Sequence, residues 1–158
     1  MRRRVRAVIL AVLIACAFFS AAYADNVKPV SVGKNDRCPV CGMFVAPYKA
    51  WVAEVVFRDG TYAVFDGPKD MFKYYLDLSK YERSKKRSDI AGVFVTEYYS
   101  AKIMKAGDLF FVMGSNVFGP MGAELIPVAS MEEARTFMHD HGGNKILRFS
   151  DVTLEMLR

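Results

Sequence analysis

The residues best equipped for chemistry in this sequence are sulfur donors. Cys38-Pro39-Val40-Cys41-Gly42-Met43 brings two thiols and a thioether together, and a further thioether, Met121, stands in Gly119-Pro120-Met121-Gly122. Thiolate and thioether together select soft ions such as Cu(I), because both are polarizable and neither competes well for Mg(II) or Ca(II). With residues 41–43 extended, Cys41 and Met43 project to one face and can share one ion, and Gly42 leaves the approach uncrowded. Such a site needs another soft donor from elsewhere in the chain. Met71, Met104, Met113, Met131, Met138 and Met156 lie in apolar or amphipathic stretches and read as core filler. Met121 lies in a stretch with no helical or strand period, which makes it the candidate third donor, although loops also plug cores with Met.

Other chemistries compete for the two cysteines. A c-type haem site requires His directly after the second Cys, and Gly42 stands there, so that use is excluded. Structural zinc asks for about four ligands, and beside Cys38 and Cys41 the sequence supplies only His139 and His141 as imidazoles. Those two histidines could bind Cu(II) incidentally. A thioredoxin-like thiol-disulfide pair is the main alternative, but that motif should open a helix after a strand, whereas a loop and a hairpin follow here. A plain Cys38–Cys41 disulfide in an oxidising compartment, within a pure interaction module, is a third reading. Cys38 is counted with the candidate metal residues, and its role as ligand, spectator or disulfide partner stays open. Beyond the leader no further thiol is left to build a second reactive site, so no catalytic turnover is expected; Asp66, at a helix start, reads as a cap, with a role near the metal loop as the other reading.

The elements that must position these residues follow from periodicity. Trp51–Phe57 and Thr61–Phe65 are β-rich runs around Arg58-Asp59-Gly60, and Asp-Gly predicts a two-residue hairpin turn. Asp66-Gly67-Pro68 then opens a helix whose apolar positions Met71, Phe72, Tyr75, Leu76 and Leu78 carry it to about Tyr81. Glu82–Asp89 is a charged, solvated linker, and Val93–Tyr99 a strand. In the second half Asp108–Met113 is a strand, Gly114–Gly122 a Gly-rich loop, and Ala123–Val128 a strand whose Pro127 suggests an edge. Ser130-Met-Glu-Glu133 is a capping box opening a helix to about His141; Gly142-Gly143 end it before the strand Lys145–Phe149. The fold class expected is α+β: two tandem ββαβ units with antiparallel or mixed sheets. Units at 38–99 and 100–158 carry Cys-Gly-Met and Pro-Met-Gly respectively, after an extended arm at 25–37.

Charge excludes one class of partner. The 158 residues carry a formal +5, but Arg2, Arg3, Arg4 and Arg6 precede an apolar run that ends in Ala22-Tyr23-Ala24, the pattern of a cleavable secretory signal over residues 1–24. Without those four arginines, 18 basic residues face 17 acidic, a net charge of +1. Nothing there points to nucleic acid. The body of the protein is expected to be exported, to the periplasm in a bacterium. Leu13-Ile14-Ala15-Cys16 also resembles a lipobox, so an acylated Cys16, or an uncleaved leader, would tether the protein to a membrane.

The combination of Cys41-Gly42-Met43, the hairpin leading into Phe65-Asp66-Gly67-Pro68, and Gly119-Pro120-Met121-Gly122-Ala-Glu-Leu-Ile-Pro-Val128 resembles the NosL family, exported copper-binding accessory proteins of nitrous oxide reductase maturation. The similarity runs from about Cys38 to Phe149. It implies a Cu(I) chaperone with a tandem ββαβ fold similar to the C-terminal core of organomercurial lyases. It also implies that Cys41 and Met43 bind the ion, that Met121 is a further ligand, and that the client is nitrous oxide reductase.

Overall fold

In the computed structural model, residues 27–158 are described; the signal segment expected at 1–24, with Cys16, lies outside them. Strand β1 (Ala53–Phe57) is buried along its whole length, which is why Ala-Glu-Val-Val-Phe shows no polar alternation. It pairs antiparallel with β2 (Tyr62–Phe65), Val56 opposite Tyr62. The connection is a three-residue loop rather than the two-residue turn expected from Asp59-Gly60. Gly60 N–H donates to the Phe57 carbonyl at 3.0 Å, Phe57 N–H to the Thr61 carbonyl at 2.8 Å, and Gly60 takes the left-handed position at φ 85°.

Helix α1 (Pro68–Leu76) starts behind Gly67, which is extended and provides no side-chain cap. It stops short of Tyr81 because Asp77 leaves helical geometry, and the short α2 (Leu78–Tyr81) follows as a separate turn. Strand β3 (Ile90–Thr96) returns alongside β1. A three-residue β4 (Ile103–Lys105) on its far side is too short to leave a period in the sequence. The first sheet therefore runs β2-β1-β3-β4, all antiparallel.

The second sheet runs β6-β5-β7. Here the Gly-rich stretch departs most from expectation: β5 (Phe110–Gly119) passes straight through Gly114–Gly119. Gly114, at φ 80°, sits where the register shifts after Met113, so the glycine marks a bulge inside a long strand, not a loop. Gly119 then pairs with Gly122, leaving Pro120 and Met121 as the tip of a tight hairpin into β6 (Gly122–Val128). Pro127 lies on that edge strand, as expected. Helix α3 (Met131–His141) has the full capping box, with Glu133 N–H donating to Ser130 Oγ at 3.0 Å and Ser130 N–H to Glu133 Oε2 at 3.1 Å. It gives way at Gly142, φ 70°, to β7 (Gly142–Arg148).

The main core joins both sheets through α1. Phe72 is fully buried and meets Phe111 of β5 and Phe149 at ring separations of 5.0 Å, while Val55, Phe65, Leu125 and Leu147 belong to the same cluster. A smaller cluster, centred on Phe137, seats α3 on the second sheet. Among the described residues no helix is long and apolar enough to cross a membrane.

Candidate metal centre

The loop that carries the thiols is fixed by its own backbone. Cys38 N–H donates to the Met43 carbonyl at 2.9 Å and Gly42 N–H to the Cys38 carbonyl at 2.8 Å, above a bridge between Arg37 and Phe44. The reversal puts Gly42 at φ 80°, strained for any residue with a Cβ. Crowding is not the reason for glycine, because a Cβ there would meet nothing within 4 Å. Cys41 and Met43 are thus not aligned by strand alternation, as the sequence suggested; the turn sets their directions. Arg37 closes the loop from outside, donating Nη1 to the Gly42 carbonyl at 2.8 Å and lying 3.7 Å above the Phe44 ring.

Two carboxylates complete the arrangement. Asp66 follows the last residue of β2, and Asp70 lies four residues on, in the first turn of α1. Both are buried. The Cys41 thiol donates to Asp66 Oδ1 at 3.2 Å, and the Cys38 thiol to Asp70 Oδ2 at 3.6 Å. One ligating atom from each of Cys38, Cys41, Asp66 and Asp70 lies within 4.8 Å of the other three. Asp70 is also paired with Lys73 at 3.0 Å. Asp66 Oδ2, by contrast, is buried with no hydrogen-bond partner, and a buried orphan acceptor marks a place where a proton donor or cation is wanted. Asp66 is no helix cap: Gly67 holds the N-cap position, the Lys69 N–H in the first turn goes to Glu124, and the Asp66 carboxyl turns to Cys41 instead.

Burial pushes the Cys38 thiol far above its usual range, and it raises Cys41 as well. The opposing influence is the loop itself: Val40 and Cys41 N–H groups aim at the Cys38 sulfur, and Met43 N–H at the Cys41 sulfur. Burial prevails. Both cysteines are free rather than bridged, and burial favours the protonated thiol at each, hydrogen-bonded to Asp70 and Asp66 respectively. An attacking thiol must be a thiolate. The motif sits in a closed loop, and the first α-helix among the described residues starts only at Pro68, unlike the helix-opening position of a thioredoxin-like pair.

Met43 is half-buried within the loop. Met121, 44% exposed at the β5–β6 tip, has its carbonyl held by Lys69 Nζ at 3.3 Å. Lys69 lies between Asp66 and Asp70, so the Met121 turn docks on the junction that faces the thiols. The structure thus assembles Cys38 and Cys41 with two acids and brings the turn bearing Met121 to the same helix start. His139 and His141 are elsewhere, at the end of α3: His139 Nδ1 lies 2.8 Å from Asp140, and His141 packs on Tyr98 and Phe137. Asp70 went unnoticed in the sequence, where its one signal was the four-residue spacing from Asp66.

A family model named NosL matches residues 29–157. The chain belongs to the NosL family. The copper-binding lipoprotein NosL of Stutzerimonas stutzeri is 24% identical over 156 residues, spanning 95% of this chain and 81% of that protein. The crystal structure of the copper chaperone NosL from Shewanella denitrificans matches with a TM-score of 0.67 at 23% identity, covering 81% of this chain and 97% of that one. The solution structure of apo-NosL from Achromobacter cycloclastes matches at a TM-score of 0.46 and 21% identity, over 66% and 87% of the two chains. The likeness to the Shewanella protein establishes the NosL fold, here an α+β arrangement of two antiparallel sheets.

Proposed function

We propose that this NosL-family protein is an exported Cu(I) metallochaperone, with Cys41, Met43 and Met121 as ligands and Cys38 beside them. It acts by ligand exchange, without catalytic turnover, and hands copper to a periplasmic copper enzyme, nitrous oxide reductase being the client. Export depends on the leader at 1–24, and an acylated Cys16 would keep the protein at a membrane. The observation that supports this best is convergence: the Cys41 thiol reaches Asp66 and the Met121 turn reaches Lys69, three residues away. Relatives named a copper-binding lipoprotein and a copper chaperone lend weight to the choice of ion.

The chemistry suits transfer. Sulfur donors favour Cu(I), whereas Asp66 and Asp70 are hard donors better matched to protons in the metal-free state. Cys41 is only partly buried and Met121 exposed, so an incoming ligand can add before a resident one leaves. A closed four-coordinate site would retain metal and transfer it slowly. The test is Cu(I) titration of the reduced protein against a chromophoric chelator. Cys41→Ser, Met43→Leu and Met121→Leu should each weaken binding, while Met138→Leu, in the small core under α3, should not. Equal affinity of Cys41→Ser and parent would refute the assignment.

A further inference from the structure

Glu124 is an acidic residue placed where an apolar core residue would be expected. It lies in β6, three residues after Met121, and is 5% exposed. Its side chain crosses from the β5–β6 hairpin to the start of α1, where Oε2 accepts the Lys69 backbone N–H at 2.8 Å. Because Pro68 has no N–H and Gly67 gives no side-chain cap, that amide is the first open donor of the helix, and an acid from another strand satisfies it.

Two glycines make room for this crossing. A Cβ at Gly67 would lie 2.3 Å from Glu124 Oε1, and a Cβ at Gly119 2.6 Å from Glu124 Cγ. Neither glycine has a positive φ, so close approach alone requires them. Lys69 completes a reciprocal clasp: its backbone binds Glu124, and its ammonium binds the Met121 carbonyl at 3.3 Å. The glycines of Asp66-Gly67-Pro68 and Gly119-Pro120-Met121 thereby acquire one shared purpose.

We infer that Glu124 is a positioning residue that docks the Met121 turn on the first turn of α1 and so presents the Met121 sulfur to the Cys41 site. The docking is a property of the metal-free fold; its consequence for copper rests on the function proposed above. Without the carboxylate, the turn loses its anchor to the helix start while the Cys38–Met43 loop, held by its own backbone and Arg37, stays in place.

The experiment uses the reduced, full chain with Glu124→Ala, Glu124→Gln, and Gly67→Ala. In metal-free protein, Glu124→Ala should shift the Met121 methyl resonance and speed Lys69 amide exchange about tenfold, leaving Cys41 alkylation unchanged. Glu124→Gln keeps an oxygen for the Lys69 amide and should largely restore both signals; this also covers an Ala variant that fails to fold. Gly67→Ala should mimic the loss. With Cu(I) and a competing chelator, Glu124→Ala should weaken binding about tenfold in the parent and not at all in a Met121→Leu background. Unchanged Met121 and Lys69 signals in Glu124→Ala would overturn the docking role, with or without copper. Equal losses of affinity in both backgrounds would overturn its link to Met121. If Met121→Leu alone binds copper like the parent, the ligand assignment fails, while the metal-free signals still judge the clasp.

Discussion

Substituting Glu124 by Gln should change how stability depends on pH, by an amount that follows from its surroundings. Burial lifts the Glu124 carboxyl from an ordinary 4.5 to about 7, against the pull of the Lys69 amide and ammonium and with a smaller push from Asp70. Below the unfolded value, folded and unfolded states both carry the proton, and stability is at its full level. Between that value and about 7 the unfolded chain ionises while the folded one does not, so stability is lost as pH rises; above about 7 both are ionised and the loss levels off. At ~1.4 kcal/mol per unit, the span corresponds to ~3–4 kcal/mol. Gln has nothing to titrate, so the stability of Glu124→Gln minus that of the parent should rise by this amount as pH increases. Urea unfolding of the reduced, metal-free proteins at several pH values gives that difference directly, and other carboxylates cancel in it. Parallel stability curves for the two proteins would refute the account of Glu124 as a desolvated acid.

Other outcomes follow from the thiols and the core. Because burial holds Cys41 protonated, Cu(I) affinity should climb about tenfold per pH unit around neutrality for each thiol proton released on binding; competition titrations should give a log–log slope of one from Cys41, a second unit would enrol Cys38, and zero slope would exclude thiolate ligation. Cys41 should react with a maleimide at least ~100-fold faster than Cys38, which is 1% exposed and reachable only through local opening; mass spectrometry after brief labelling decides, and equal rates would contradict the buried placement of Cys38. Gly42→Ala should cost ~1 kcal/mol through the positive φ alone, since the added methyl meets nothing, and a larger loss in urea unfolding would mean the loop is held differently. Phe72→Ala should cost ~3–5 kcal/mol by opening a cavity between Phe111 and Phe149, seen as a lowered Tm.

Local signals carried much of the fold. The capping box at Ser130, the Gly142 stop, the apolar spacing after Pro68 and the β-rich runs around Asp59-Gly60 each act within a few residues, and each element appears close to its expected place. The misplaced boundaries have a common origin. Gly114 and Asn116 look like loop residues in sequence, yet pairing with β6 and β7 carries the strand past them, with the glycine absorbed as a bulge. Asp77 interrupts a helix whose apolar pattern continues, and β4 exists only because β3 offers it an edge.

The sequence by itself determined the sulfur donors, their clustering in Cys38–Met43, and the unusual setting of Met121, because ligand chemistry belongs to side-chain type. It could not determine what faces them. Asp66 and Asp70 meet the two thiols only once β2 runs into α1, and Glu124 reaches Lys69 only once the β5–β6 hairpin lies across that helix start. Burial then decides protonation: the same cysteines in an unfolded chain would be ordinary thiols, and the same Glu124 an ordinary ionised acid. Those properties depend on excluded water and on neighbours distant in sequence, and only the packed structure supplies either.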